Sequence, residues 1–395
     1  MEQQRELREG LFPSNLSFPT IEVRQFGFGQ SNPTYKLLLG GVGGGRSLVL
    51  RKKPSKVAHA SAHALHREFK VLRALEQHNR LHPDKNVPVP KVYAYCKDKS
   101  VLGAEFYIME FVQGRIFTDP SLPGLSKTER QQAYDDVLRV LANIHRVDIH
   151  EVGLSSYGKS TRYVERQIRS LMFVSRKQTE LSGTPFPELD QISKQLANAA
   201  PHCPNYVSLL HGDFKIDNVV FSATEPKVIG VLDWELSTIG DPLCDIANMS
   251  MMYHMPPDQG FAIAGLEGES LRSVNFLPAC VFDGVRFVMW FVVVAPTGLD
   301  LERLGIMSKD NLLRRYSLHN YAISLRQARE WMGFYLAFLF FKNCVIVQGV
   351  AQRAKTGVAS SAVAHKVASL LPVVVSLTQD ILIHYPPPIN PLSRL

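Results

Sequence analysis

Apolar and polar residues alternate in short runs over the first quarter of the chain, then recur at three- and four-residue spacing over most of the rest. Runs at 36–39, 47–51, 92–95 and 106–112 read as strands, with one more from Ile21. Glycine-rich stretches at 26–35 and 40–45 turn the chain between the first three. Ala64, Leu65, Leu72 and Leu75 share a helical face over 60–79, with Glu68 among them, and Val87-Pro-Val-Pro90 ends that segment. This predicts a five-stranded sheet with one helix, closing near Gly114. Beyond it Ser126 and Glu129 form a capping box ahead of Val137, Leu138, Leu141 and Ile144. Further helices are predicted over 160–180, 188–200, 243–254, 309–318, 325–352 and 358–383, with short strands and loops over 207–234. The expected fold is α+β: a small β-rich N-lobe (20–113) and a larger, mostly helical C-lobe (114–383). A polar arm (1–19) and a Pro-rich tail (384–395) flank them.

Composition narrows the class. With 45% hydrophobic and 20% charged residues in 395, wholesale disorder and fibrous folds are excluded. Cys96, Cys203, Cys244, Cys280 and Cys344 are scattered, which gives no disulfide framework and no C-x-x-C metal spacing. They read as reduced thiols of an intracellular protein. The net charge of +8 suits an anionic ligand. No basic block exceeds Arg51-Lys52-Lys53, so no nucleic acid is expected as partner. No signal peptide opens the chain, and the apolar run 287–295 is about half the ~20 residues a bilayer needs, so no transmembrane segment is expected.

The sharpest chemical signal is His211-Gly-Asp-Phe-Lys-Ile-Asp-Asn218, followed by an apolar strand and Asp233-Trp-Glu235. Apolar runs on both sides clamp the polar loop, and the next strand delivers Asp233 beside it. Asp213, Asn218 and Asp233 are oxygen ligands of the kind that suits Mg²⁺, which shares its coordination with phosphates. A carboxylate beyond those needed for metal can accept a hydroxyl proton, which completes the parts for phosphoryl transfer. Upstream, Gly27, Gly29, Ser31 and Asn32 lie in a turn whose backbone can approach phosphate. Arg51 or Lys52 ends a strand about twenty residues on, and alternation points only one of the two inward. Glu68 stands on the helix that can pair with that cation. Met109, Glu110 and Val112 lie where the lobes join and would present backbone groups to adenine.

These stretches resemble the aminoglycoside phosphotransferase/choline kinase family, and most of all the kinase-like domain fused to some acyl-CoA dehydrogenases. The resemblance rests on 28–35, 48–54, 61–69, 87–92, 106–109, 163–168, 211–218, 232–235, 240–243 and 348–350. It implies a bilobal protein-kinase-like fold, ATP and Mg²⁺ as cofactors, Asp213 as catalytic base, and Asn218 and Asp233 as metal ligands. It places Ser31 near the phosphates and favours Arg51 over Lys52 as the phosphate-holding cation. The implied activity is that of an ATP-dependent phosphotransferase with a small-molecule hydroxyl acceptor, and some members of the branch act on hydroxyacyl-CoA. An amino alcohol, a sugar, an aminoglycoside or a non-catalytic binding module are the alternatives.

Two features stand apart. Residues 269–299 exceed the family pattern, and read as a surface insertion, a contact segment, or sequence foreign to the functional product. The chain ends Ser393-Arg394-Leu395, a conservative variant of a peroxisomal address held out on a proline-rich stretch. An import receptor is the partner it implies, with peroxisome as the expected location and cytoplasm as the alternative.

Overall fold

Strands form where the alternation predicts them. β1 (Ile21–Gln25), β2 (Thr34–Leu39), β3 (Arg46–Lys52), β4 (Val92–Cys96) and β5 (Phe106–Glu110) make one sheet in the order β1-β2-β3-β5-β4. Every neighbouring pair is antiparallel. The structure is a computed structural model that describes residues 21–26, 32–40, 46–54, 64–255, 300–355 and 368–388. Gly27, Gly29, Ser31, the expected arm 1–19, the segment 269–299 and Ser393-Arg394-Leu395 lie outside the described residues.

The chain packs as two units. Unit 1 holds the chain up to Ile116 together with Asp135–Tyr163 and Asn205–Asp245. Unit 2 holds Phe117–Tyr134, Val164–Pro204 and the chain from Ile246 on.

In unit 1, β3 is the central strand and buries Leu48, Val49, Leu50 and Arg51 in succession. Its register sets Arg51 opposite Thr34 on one side and Tyr107 on the other. Helix α1 (Leu65–Leu81) buries Leu65, Val71, Leu72 and Leu75, each contributing about 1.5–3 kcal/mol relative to exposure. Glu68 lies on the same buried stripe, and a carboxylate there needs a partner. The expected helix over 60–79 thus begins at Leu65 in the described residues and runs to Leu81. In its last turn Asn79 exchanges two hydrogen bonds with the Val87 backbone, at 2.7 and 2.8 Å, which pins the Val-Pro-Val-Pro segment. The strand expected to reach Val112 stops at Glu110.

Two small sheets complete unit 1. β6 (Arg115–Ile116), β8 (Val219–Phe221) and β9 (Val228–Val231) form one, in the order β6-β8-β9. β7 (Ser208–Leu210) and β10 (Thr238–Gly240) form the other. β6 and β10 were not expected, because two or three residues are too short to show a period.

Most helices fall close to their predicted spans; the one expected over 243–254 is α-helical to Ser250 and 3-10 beyond, and of the one expected over 358–383 the described part is a helix from Leu371 preceded by a turn at 369–370, with 358–367 outside the described residues. Helix α2 (Lys127–His145) opens on the capping box: Glu129 N–H donates to Ser126 Oγ at 3.3 Å, and Ser126 N–H to Glu129 Oε2 at 2.7 Å. There follow α3 (Tyr163–Ser182), α4 (Pro187–Ala199), α5 (Leu243–Ser250), α6 (Lys309–His319), α7 (Leu325–Lys355) and α8 (Leu371–His384). Among the described helices α7 is long and apolar enough to cross a membrane. Two-thirds of its most apolar window (67%) is buried, with Phe334, Phe338 and Phe341 inside, as befits the core helix of unit 2. Buried tyrosines of unit 2 each bind a polar partner. Tyr134, Tyr253 and Tyr335 donate to the carbonyls of Pro120, Met307 and Pro204.

Candidate active site

Every residue of the site belongs to unit 1. Its foundation is Asp245, 1% exposed, on the first turn of α5. Asp245 Oδ2 accepts from His211 N at 2.7 Å and Oδ1 from Gly212 N at 2.8 Å. His145 Nε2 lies 3.2 Å from Oδ2. Burial alone would raise this carboxyl. The His145 hydrogen bond, the two nearby imidazoles and the Gly212 N–H outweigh it and hold the carboxyl below the usual carboxylate range. The backbone entering the loop therefore hangs from one ionised, buried side chain.

His211 ties the same loop to the next strand. Its Nε2 donates to the Leu232 carbonyl at 2.8 Å, while Nδ1 faces the Asp213 N–H at 3.3 Å. Gly212 has φ +85°, and an added Cβ would run into the Leu236 carbonyl oxygen, so glycine is required there.

The β8–β9 hairpin brings the other oxygens together. Val219 pairs with Val231, and Leu232 N–H donates to the Asn218 carbonyl at 2.8 Å. Asn218 and Asp233 thus sit at the same end of the hairpin. Asn218 Nδ2 donates to the Asp213 carbonyl at 2.8 Å and reaches Asp213 Oδ2 at 3.3 Å. This leaves the amide oxygen as the end that can meet a cation. Lys215 Nζ lies 3.1 Å from Asp217 Oδ2 and 3.6 Å from Asp213 Oδ2. Burial raises the Asp217 carboxyl above its ordinary range despite that cation.

Asp233 adopts a left-handed backbone, φ 64° and ψ 60°. For a residue other than glycine this costs roughly 1–3 kcal/mol, and such strain persists only where the surroundings enforce it. The next residue, Trp234, is fixed: fully buried against His211 at 4.7 Å between ring centroids, with its Nε1–H on the Val231 carbonyl.

A second cluster joins Asp233 to the large sheet. Arg51 Nη1 pairs with Glu68 Oε1 at 2.7 Å, and Nη2 with Asp233 Oδ1 at 2.7 Å and Glu235 Oε2 at 3.4 Å. Asn32 Nδ2 donates to the same Glu235 oxygen at 3.0 Å. Arg51 is therefore the inward cation. By strand alternation Lys52 faces the other side of β3. Removing either member of the Arg51–Glu68 pair, 9% and 2% exposed, would strand a buried charge at about 3–5 kcal/mol. Burial pushes the Glu68 carboxyl up to about 7 against the pull of Arg51; the charges of Asp233 and Glu235 push the same way as burial.

Oxygen donors on Asn218 and Asp233 fit Mg²⁺, a cation that takes few protein ligands and leaves room for phosphate. Among the described residues no group of three or more His, Cys, Asp or Glu makes a ready metal cage. Among the described residues the buried Asn32 Oδ1 and Arg51 Nε have no hydrogen-bond partner, so both retain capacity for one. Met109 is buried on β5 opposite Val49, and Glu110 N–H donates to the Lys91 carbonyl at 2.8 Å.

Four residues of this site escape the sequence reading as site residues: Glu235, Asp245, His145 and Lys215. Glu235 had a signal in its place two after Asp233. Asp245 had none, because an acid in a first helical turn is ordinary.

Comparisons with known proteins identify the fold and the family. The chain is 35% identical over 372 residues to mouse acyl-CoA dehydrogenase family member 10, covering 94% of this chain and 30% of that protein. It is 35% identical over 342 residues to human acyl-CoA dehydrogenase family member 11, covering 87% and 37%. It thus spans about a third of the length of these curated relatives. Among solved structures, a candidate aminoglycoside phosphotransferase from Ralstonia eutropha JMP134 superposes with TM-score 0.71 at 32% identity, over 97% of this chain and 98% of that one. Choline kinase from Cryptosporidium parvum shares the fold alone, with TM-score 0.58 at 12% identity over 97% and 96%. The fold is protein-kinase-like, of the aminoglycoside phosphotransferase and choline kinase kind. A sequence model of the phosphotransferase enzyme family (APH) matches residues 22–279, and the chain belongs to that family.

Proposed function

We propose that this chain is an ATP- and Mg²⁺-dependent O-kinase of small molecules, with a hydroxyacyl-CoA as its acceptor. The observation that carries the reading is the gathering of Asp213, Asn218 and Asp233 at one end of the β8–β9 hairpin, with Arg51 bridging Asp233 to Glu68. Asp213, on a loop suspended from Asp245, orients the acceptor hydroxyl and takes its proton. Asn218 and Asp233 would hold Mg²⁺, which when bound neutralises charge on the phosphate oxygens. Arg51 holds the α- and β-phosphates while Glu68 fixes its guanidinium. Asn32, together with Gly27, Gly29 and Ser31 just before it in the sequence, is the group assigned to the phosphates. With the Glu110 N–H already taken by Lys91, adenine meets the backbone of Phe111 and Val112 instead. The acyl-CoA acceptor is supported by the acyl-CoA dehydrogenase names of the relatives and by the positive charge of the chain.

The test is Mg·ATP turnover on hydroxyacyl-CoAs, with amino alcohols, sugars and aminoglycosides as the comparison panel. Asp213→Ala should abolish transfer and leave Mg·ATP binding intact. Turnover in that variant within about tenfold of wild type, or ~1.4 kcal/mol, would refute the base assignment. Preference for a panel compound over every hydroxyacyl-CoA would refute the acceptor.

A further inference from the structure

The Arg51 bridge makes a demand on two elements at once. Glu68 stands on the first turn of α1, and Asp233 leads into the 3-10 turn Trp234–Leu236. A rigid guanidinium meets both carboxylates at 2.7 Å only if the two elements keep one spacing. A second set of contacts joins the same two elements and shares no atom with that bridge. Arg67, next to Glu68 on α1, donates from Nη2 to the Ser237 carbonyl at 3.3 Å. Its guanidinium carbon lies 4.2 Å over the ring of Tyr157, which belongs to the stretch between α2 and α3. The Tyr157 hydroxyl is 2.6 Å from Ser237 Oγ and 3.1 Å from the Arg67 carbonyl. Ser237 gives its own proton to the Trp234 carbonyl at 2.5 Å. The phenolic proton is therefore the one shared between Ser237 and Arg67. Tyr157 is 3% exposed and Ser237 2%. Burial pushes the phenol above its ordinary range, so it stays a donor. The backbone beside it has no slack: a Cβ added at Gly158 would come 2.7 Å from Thr238 Oγ1 and 2.8 Å from Ile239 N, on β10.

We propose that Tyr157 is a positioning residue for phosphate binding: with Arg67 and Ser237 it clasps α1 to the Asp233 turn, and so holds Arg51 in the pose that meets the nucleotide. The proposal rests on the phosphotransfer reading of the site. Tyr157 touches neither Arg51 nor any residue assigned to ATP or Mg²⁺, so it acts only through the placing of α1. A phosphate competes with Asp233 for an arm of Arg51, and the bridge weakens as the ligand binds. No atom of the clasp is assigned to the ligand, so the clasp keeps α1 in place through that exchange. Without it Glu68 is free to draw its arm of Arg51 away. Only the fraction of molecules with Arg51 in place then binds the phosphates at full strength, and the apparent affinity falls by that fraction. Removing the phenolic hydroxyl strands no donor. Ser237 still donates to Trp234, and the Arg67 carbonyl lies within α1, where the helix's own bonding serves it. Tyr157→Phe therefore opens the clasp with little damage to the fold.

The experiment uses the full chain and needs no acceptor. Displacement of a fluorescent ATP analogue measures the affinity for Mg·ATP and for adenosine, which has the base and sugar but none of the phosphates. Tyr157→Phe should bind Mg·ATP about five- to tenfold more weakly than wild type and adenosine within about twofold. Its melting temperature should stay within about 4 °C of wild type. Arg67→Gln, which leaves the tyrosine in place, should weaken Mg·ATP in the same selective way, and it carries the test if Tyr157→Phe does not fold. A folded Tyr157→Phe that binds Mg·ATP as wild type does overturns the proposal. So does an equal loss for adenosine and Mg·ATP, because the tyrosine then supports the pocket as a whole and not the phosphate-holding arginine. Wild type that fails to bind Mg·ATP overturns the phosphotransfer reading itself, and the role of Tyr157 with it.

Discussion

Asp245→Asn should loosen the loop that carries Asp213 while leaving that loop's sequence intact. Three groups donate to the Asp245 carboxylate: the N–H groups of His211 and Gly212, and His145 Nε2. An amide has one oxygen, so either way round its NH₂ faces a backbone N–H. The milder orientation gives up the Gly212 bond and leaves that buried donor unpaired. Leaving a buried donor unpaired costs about 1–3 kcal/mol, and more where the lost partner was charged, so a loss of about 2–4 kcal/mol is expected. Unit 1 has about 190 residues, which at ~2.1 cal/mol/K per residue makes the melting entropy ~0.4 kcal/mol/K and the expected drop about 5–10 °C. Displacing the loop by about 1 Å should also cost roughly 100-fold in transfer rate.

Calorimetric melting and single-turnover transfer read the two effects. The sign with pH is fixed as well. The folded Asp245 carboxyl titrates below its unfolded value, so its stabilisation is complete above the ordinary carboxylate range and lost as pH falls through the folded pKa. The gap in melting temperature between wild type and Asp245→Asn should therefore narrow in acid. A drop under 2 °C with the rate within threefold of wild type would show that the His211–Gly212 backbone does not hang from Asp245.

Gly212 and Gly124 both have φ +85°, but only at Gly212 does an added Cβ meet backbone, so Gly124→Ala should cost about 1 kcal/mol and Gly212→Ala clearly more in chemical denaturation. Equal losses would remove the Leu236 contact as the reason for glycine at 212. Burial, with help from Lys309, pushes His254 down to about 3, so unfolding takes up a proton there below its ordinary pKa and stability falls with pH. Between pH 7 and pH 5 this amounts to about 2 kcal/mol, a slope that His254→Gln should flatten and that denaturant titration at the two pH values would measure.

What the sequence shows of this molecule depends on how local the signal is. Strands β2 to β5, the Ser126–Glu129 cap and the spans of α3, α4, α6 and α7 are written in periods of two or 3.6 within a dozen residues. The loop 211–218 is legible because its chemistry is packed into eight positions. Contacts that span the chain are not: Asn32 meets Glu235 across 203 positions, and His145 meets Asp245 across 100. Nor is the assembly of unit 1 from three separate stretches, since an apolar period says that a face is buried and not against what.

The choice between Arg51 and Lys52 shows where pattern ends and geometry takes over. Alternation requires only that one cation point inward. What makes Arg51 the fitting residue is the arrangement it meets: Glu68 on one side, Asp233 and Glu235 on the other. A guanidinium presents two arms in a fixed fork and bridges both sides at once; a lysine ammonium is a single point that would have to choose. The three carboxylates still leave about two negative charges uncancelled around one arginine when all are ionised. Burial already raises Glu68 to about 7, which is how a carboxylate responds when the charge around it is incompletely matched. If Asn218 and Asp233 hold a divalent cation as proposed, its charge would offset this excess and weaken the hold of Asp233 on one arm of Arg51, which would leave that arm open to a nucleotide phosphate while Glu68 keeps the other.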